Sequence, residues 1–399
     1  MKKILSVALA TIAAISASAQ MTYPDAVNKD INRHSMRYSR GARTEIVLPQ
    51  VNGYNIYKAD LHTHSAFSDG SVLPEYRVKE AWVDGLDVMA VTEHIEYRRQ
   101  ESKMLEYLQD YAKKGEEIDN WDIINKPADK KGIRVDLNYA VTLSQKAAEQ
   151  YGLLIIPGTE ITRNPQQIGH YNALFTTDNN AIYDADPLQS FRNAKAQGAL
   201  IQHNHPGWQR KSIDMPEFEV KAYAEGLIDG IEVMNGSDFY PGAIDRAKEL
   251  DLFISANTDI HGTTAMDYAN VEVGRNMTLI LAKEKSLDAV KEALQARRTL
   301  AYSFGTIAGE EQLVRDFFQA CIKYETLFEK DKKQRRVRMT NPTSMHFVLN
   351  FGGNPVQLRP FTSRDFNVSR DKEVVFTVEN LWIPGEKKHP EFRLGYHLF

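Results

Sequence analysis

Asp60-Leu61-His62-Thr63-His64 closes a loosely alternating segment that begins at Tyr54. Such alternation predicts a strand from Tyr54 to Leu61 that ends in this charged cluster. Side chains two residues apart in an extended chain point the same way, so His62 and His64 offer two imidazoles to one side. Asp69 follows in the loop Ser68-Asp69-Gly70.

Working outward, the same arrangement recurs. Pro74 to Asp84 has helical spacing, with proline in its first turn and Gly85 after its end. Leu86 to Thr92 reads as a buried strand and is followed by Glu93-His94. Residues 98–150 are charged and helical in pattern, with a turn at Lys126-Pro127-Ala128-Asp129, and read as an insertion or crossover. The strand Leu153 to Pro157 leads into Gly158-Thr159-Glu160, and a strand over Ala173 to Phe175 lies near His170. A helix from Pro187 to Gln197 precedes the strand Ala199 to Gln202, which leads into His203-Asn204-His205-Pro206. Strands at Ile231–Met234 and Phe253–Ala256 flank a helix from Gly242 to Leu250. The second strand opens into Thr258-Asp259-Ile260-His261. Met277–Leu281, Ser286–Arg297 and Leu300–Phe304 add strand, helix and strand. Strand and helix in alternation predict a parallel sheet or barrel, and such folds gather their strand ends on one face.

That register gives the histidines their meaning. Of 11 histidines, His62, His64, His94, His170, His203, His205 and His261 fall in this part of the chain, nearly all at predicted strand ends. An isolated histidine is commonly a surface or hydrogen-bonded residue. Asp69 before glycine could be a turn residue, and Glu160 after Gly158 a helix cap. Taken jointly they form an N/O donor set suited to zinc, manganese or iron. The only cysteine is Cys321, so neither a thiolate site nor an internal disulfide is available.

Asp60-Leu61-His62-Thr63-His64, Ser68-Asp69-Gly70 and Val91-Thr92-Glu93-His94 resemble the opening motifs of the polymerase and histidinol phosphatase (PHP) superfamily. Gly158-Thr159-Glu160, Gly169-His170, His205-Pro206 and Asp259-Ile260-His261 resemble its later motifs, in order. The resemblance implies an α/β fold, a distorted (β/α)7 barrel, with two or three divalent ions. By that resemblance one metal takes His62, His64, Glu160 and Asp259. A second takes His170 and His205 and shares Glu160, and a third takes Asp69, His94 and His261. The implied activity is hydrolysis of phosphate esters by hydroxide formed at the ions. Glu93 departs from the family, which has aspartate there. His203 is an addition that could be a spare ligand, an acid for the leaving group or a structural strand residue. Arg163 and Arg275 could clamp a phosphate oxygen or be surface arginines, and Asn204, Asn235 and Trp208 could shape the pocket.

The flanks are of other kinds. Met1-Lys2-Lys3, an apolar run to Ile15 and Ala17-Ser18-Ala19 predict a cleaved secretory signal over residues 1–19, hence a periplasmic or extracellular protein. That run is too short to span a bilayer. Without it, 47 basic residues face 53 acidic ones, a formal charge of −6, which gives no reason to expect a nucleic-acid-coating protein. Residues 20–53 read as a polar arm and 54–308 as the metal-binding barrel. Residues 309–399 read as a helix to about Leu327, a basic stretch Lys330 to Arg338 and a small C-terminal all-β, sandwich-like domain. Segments His346–Phe351, Val356–Phe361, Val374–Val378 and Phe392–His397 would supply its strands.

The family resemblance and the N-terminal signal together imply a secreted phosphodiesterase acting on small esters, or a phosphomonoesterase of the same fold, and the ligand set is common to both. An amidohydrolase would rely on a bridging lysine where Glu160 stands. A non-catalytic metal- or glycan-binding surface protein needs fewer ligands than this chain carries. No P-loop, Gly-x-Ser-x-Gly or His-Glu-x-x-His motif is present.

Overall fold

The computed structural model describes residues 22–34, 43–112, 135–268, 274–331, 334–369 and 372–394. The expected signal, the turn at Lys126–Asp129 and His397 lie outside them. Strands β1 (Thr22–Pro24) and β2 (Asn32–His34) pair antiparallel within a unit that ends at Ala42. From Arg43 onward the chain forms a second compact unit. No helix among the described residues is long and apolar enough to cross a membrane.

The second unit opens with β3 (Asn55–Asp60), the helix Pro74–Val83 and β4 (Val88–Ala90). The insertion contributes the helices Glu101–Tyr107 and Tyr139–Ala148. Strands β5 (Leu154–Ile156), β6 (Gly158–Thr162), β7 (His170–Leu174) and β8 (Leu200–His203) follow. The helix Pro187–Ala196 lies between the last two. That helix has Pro187 in its first turn, an Asp186 cap accepting from the Leu188 N–H, and Gly198 at φ 79° just past its end. These start and stop signals follow from unsatisfied helix-end groups. Next come the helix Glu217–Ala224, β9 (Gly230–Asn235), β10 (Asp238–Phe239), the helix Pro241–Glu249 and β11 (Phe253–Asn257). Strand β12 (Met277–Ala282), the helix Leu287–Gln295, β13 (Thr299–Ser303) and β14 (Thr306–Ala308) complete this part. All residues of β11 and β12 are buried, the mark of strands covered on both faces.

These strands form two sheets rather than one continuous parallel ladder. One runs β14-β13-β12-β3-β4-β5, and the other runs β10-β9-β8-β7-β6 with β11 on β9. The expectation of parallel strands holds for β3–β4–β5, β8–β9 and β9–β11 only. β6–β7, β7–β8, β3–β12 and β12–β13 are antiparallel. A parallel neighbour needs a long crossover, and the loop from β6 to β7 carries none. The sheets meet where Pro157 separates β5 from β6. Proline has no N–H to continue a ladder. They meet again at the parallel bridges Thr63–Ile260 and His94–Glu160, at the strand exits that carry the donor residues.

The tail begins with the helix Glu311–Cys321, whose buried Val314, Phe317, Phe318 and Cys321 follow helical spacing. The sequence had suggested a helix to Leu327. It stops at Cys321, and the chain continues as β15 (Lys323–Asp331), whose Tyr324-Glu325-Thr326-Leu327-Phe328 is rich in β-branched and aromatic residues suited to a strand. The basic stretch becomes part of β16 (Gln334–Asn341). Strands β17 (Phe347–Asn350), β18 (Pro355–Leu358), β19 (Thr362–Ser369), β20 (Val374–Val378), β21 (Leu381–Trp382) and β22 (Glu391–Leu394) follow, of which β19 and β21 had no sequence signal. Two antiparallel sheets, β15-β16-β19 and β18-β17-β20-β22, share one apolar core with the helix. β21 leaves them to pair parallel with β14, joining the tail to the first sheet.

Candidate metal centre

The exits of β3 and β11 run side by side. The Asp259 N–H donates to the His62 carbonyl and the His64 N–H to the Ile260 carbonyl. Interleaving of this kind brings His62, His64, Asp259 and His261 to one place. Asp259 and His205 adopt left-handed backbone, φ 54° and 26°, which is costly for non-glycine residues and is held here by the surrounding bonds. The turn carrying Asp69 depends on Gly70, because a Cβ there would stand 2.9 Å from the Ser65 backbone.

Glu160 lies at the centre, fully buried. Its Oε1 is 3.4 Å from His62 Nε2, 3.3 Å from His170 Nδ1 and 3.8 Å from His205 Nε2. Its Oε2 is 2.6 Å from His94 Nδ1 and 3.5 Å from His64 Nε2. Asp259 Oδ1 is 3.2 Å from His62 Nε2 and 3.0 Å from His64 Nε2. Asp69 stands 3.4 Å from His94 Nε2 and 3.1 Å from His261 Nε2. The donor atoms fall into overlapping groups: His62, His64 and Glu160; His62, His205 and Asp259; Glu160, His170 and His205; and His64, Asp69, His94 and His261. All the ligands expected from the sequence therefore come together. His64 sits with the Asp69 group as closely as with His62.

Metal ions fit this arrangement. The Nε2 atoms of His62, His64 and His170 and Oε2 of Glu160 are buried and crowded among other donor atoms without a well-aligned hydrogen bond, an expensive condition unless an ion takes them. Charge is distributed to match. Burial opposes ionisation of Glu160, but His94 and His62 outweigh it and hold its carboxyl well below the ordinary range. Burial would lower His62, but Asp259, Glu232 and Glu160 raise it well above the ordinary imidazole range. His94 is raised likewise, against burial, by Glu160 and Asp69. His64 is pushed down to about 3 by burial and its neighbours His94 and His261, and His205 to about 4 by burial and His170.

Second partners orient the donors, as in metal sites generally. Glu232 accepts from His62 Nδ1 at 2.9 Å, and Asn204 donates to Glu160 Oε1 at 2.9 Å. The Thr162 hydroxyl is 2.5 Å from His94 Nδ1. Glu93 reaches the Ser65 hydroxyl at 2.5 Å, the Ser65 N–H at 3.1 Å and the Ser68 hydroxyl at 2.6 Å. The extra methylene relative to aspartate is thus used to hold the turn that carries Asp69. Trp208 packs on His170 and His205, with ring centroids 5.2 and 5.3 Å apart. Asn235 donates to Glu232 at 2.9 Å.

Three sequence candidates are placed elsewhere. His203 lies on the outer face of β8, stacked 4.8 Å from Tyr171 with Nδ1 2.8 Å from the Tyr223 hydroxyl, so it does not join the cluster. Strand alternation explains this: Gln202 and Asn204 turn inward, and His203 between them turns out. Arg163 is committed to Glu96 at 2.9 Å and to the Asp184 carbonyl at 2.6 Å. Arg275 is committed to Asp60 and, at 2.8 Å, to Asp84. Both arginines are buried structural cations instead of phosphate clamps. Conversely, Glu232 and Asp60 were not singled out. The available signal was an acid inside an otherwise apolar strand, Gly230-Ile231-Glu232-Val233.

Comparison with known proteins agrees with this geometry. Residues 60–279 match the PHP domain. A two-domain protein from Bacteroides vulgatus ATCC 8482 containing a predicted PHP-like metal-dependent phosphoesterase is 32% identical. The alignment covers 88% of this chain and 98% of that one, with a TM-score of 0.75. The lesion-specific endonuclease Q of Pyrococcus furiosus is 15% identical over 64% of this chain and 59% of that one, with a TM-score of 0.38. No curated protein sequence matches the chain. The chain belongs to the PHP domain family and has the fold of a PHP-like metal-dependent phosphoesterase.

Proposed function

We propose that the protein is a metal-dependent phosphodiesterase acting on small phosphate esters, with two or three zinc, manganese or iron ions held by His62, His64, Asp69, His94, Glu160, His170, His205, Asp259 and His261. The observation that carries this reading is the convergence of these donors on Glu160, several with buried atoms that make no well-aligned hydrogen bond. We read the two sheets as a distorted barrel with the donors at one end. The N-terminal pattern Met1-Lys2-Lys3 to Ala19 further supports export from the cytoplasm.

Divalent ions at such a site neutralise phosphate oxygens and acidify water. The chain's own part is arrangement. Glu160 and its donors are sealed, whereas the side chains of Asp259 and His261 are 22% and 39% exposed, so substrate reaches the centre from their side. Trp208 closes the flank beside His170 and His205. Arg163 and Arg275 are neutralised by buried acids and do not meet a second phosphate charge. A monoanionic diester suits that balance better than a dianionic monoester.

The test uses bis-p-nitrophenyl phosphate and p-nitrophenyl phosphate with protein stripped by chelator and reloaded with zinc or manganese. Higher kcat/KM on the diester, lost with the metal and restored by it, is expected. Preference for the monoester, or activity indifferent to chelation, overturns the proposal.

A further inference from the structure

Glu232 is a fully buried carboxylate in the middle of β9. Among the described residues no lysine or arginine pairs with it. Instead it collects hydrogen-bond donors, of which His62 alone can carry charge. Oε1 takes His62 Nδ1 at 2.9 Å, Asn257 Nδ2 at 2.9 Å and Gln202 Nε2 at 3.4 Å. Oε2 takes the His205 backbone N–H at 2.7 Å and Asn235 Nδ2 at 2.9 Å. A buried carboxylate is costly unless it is paired, and neutral hydrogen bonds offset only part of that cost. The nearest place for compensating positive charge is the centre that His62 and His205 face.

We infer that Glu232 is a positioning residue that builds one side of the metal centre, fixing the His62 tautomer and the His205 backbone so that both rings present Nε2 to the ions. An imidazole whose Nδ1–H is held by a carboxylate has only Nε2 free for coordination, and the carboxylate makes that nitrogen a stronger donor. The same carboxylate grips the N–H of His205, whose backbone is left-handed at φ 26°. One side chain thus serves two ligands that arrive from different strands. It does not touch His94, Asp69 or His261. The inference rests on the metal-centre reading but not on the substrate.

Glutamine is the informative replacement. It keeps the shape, but its amide supplies one acceptor and one donor group where five donors converge. Its NH2 must face either His62 Nδ1 and Asn257 or His205 and Asn235. The experiment measures zinc stoichiometry by mass spectrometry and zinc affinity by chelator competition, together with thermal unfolding of the metal-free full-length protein. Glu232→Gln is expected to weaken zinc about 10- to 100-fold at the sites that include His62 and His205. The site of Asp69, His94 and His261 should still fill, and the metal-free protein should keep its unfolding midpoint within a few degrees. Glu232→Asp, which keeps the charge but shortens the reach, should show the same selective loss to a smaller degree. Unchanged affinity, equal weakening of every site, or failure of both variants to fold before metal is added overturns the inference. If the unmodified protein binds no zinc or manganese, the metal-centre reading itself fails.

Discussion

The Arg275 guanidinium and the Asp60 carboxylate form a buried ion pair behind the metal centre. Asp60 Oδ1 also accepts from the backbone N–H groups of His62 and Thr258, each at 3.2 Å, and Oδ2 from the Thr258 hydroxyl at 2.6 Å. The pair therefore ties the β3 exit to the β11 exit, one in each sheet. Removing one partner of a buried pair strands the other, so Arg275→Ala should cost about 3–5 kcal/mol in denaturant unfolding. Zinc affinity should fall with it, because His62 and Asp259 lose their common anchor. Equal stability of the variant would show that Asp60 is satisfied without the arginine.

Glu160 approaches His62, His64, His94, His170 and His205 within 4 Å. Glu160→Gln keeps the size but removes the charge and one acceptor. Hydrolysis should fall by more than about 100-fold, with lower metal content, since bridging and charge balance are lost together. Full metal content with full activity would show that Glu160 is not a ligand.

Metal loading should release protons. His62, His94 and His261 are raised by neighbouring carboxylates, so in the metal-free protein they hold protons that an ion must displace. His64 and His205, held down at about 3 and about 4, are already neutral. Apparent zinc affinity should therefore climb as pH rises through the raised values. The metal-free protein behaves oppositely. Raised groups contribute stability that is complete below about pH 6.5, the unfolded imidazole value, and lost as pH passes their folded values. Titration calorimetry in buffers of different ionisation heat measures the protons released. A heat independent of buffer would contradict this account.

His203 tests the separation of chemistry from structure. It fills the space between Tyr171 and the Tyr223 hydroxyl, outside the clusters of donor atoms. His203→Ala should destabilise the fold by about 2–4 kcal/mol through the cavity left behind. Below its unfolding temperature the variant should keep the pH–rate profile of the unmodified protein. Loss of one limb of that profile would return His203 to the role of leaving-group acid.

The strand ends were legible because the donors fall beside apolar runs: His62 after Tyr54–Leu61, His94 after Leu86–Thr92, Asp259 after Phe253–Ala256. Strand direction was not, because it depends on how a connection crosses. Nothing in residues 163–169 says whether β7 returns beside β6. The roles of Asp60 and Glu232 were hidden for a related reason, although an acid in the apolar run Ile231-Glu232-Val233 stood out by its type. Their work is to accept hydrogen bonds from residues far along the chain, Thr258 for one and His62 for the other, and periodicity does not register such partners. Arg163 and Arg275 misled in the converse sense: arginines near ligands invite a phosphate, and only the fold reveals Glu96, Asp60 and Asp84 already in place.

Phe318 addresses whether the tail is a separate folding unit. It projects from the helix Glu311–Cys321 and meets Phe392 and Phe347 with ring centroids 4.4 and 5.0 Å apart. The core it completes continues through Val314 to Leu300 and Ile307, and β21 hydrogen-bonds to β14. Phe318→Ala should cost about 3–5 kcal/mol, as large aromatic deletions from packed cores do. Because the apolar core is continuous, the loss should lower one shared unfolding transition of residues 43–399. Metal content should stay unchanged at temperatures where the variant is folded. Two transitions, with only the first shifted and the metal retained through it, would instead show a tail that unfolds alone.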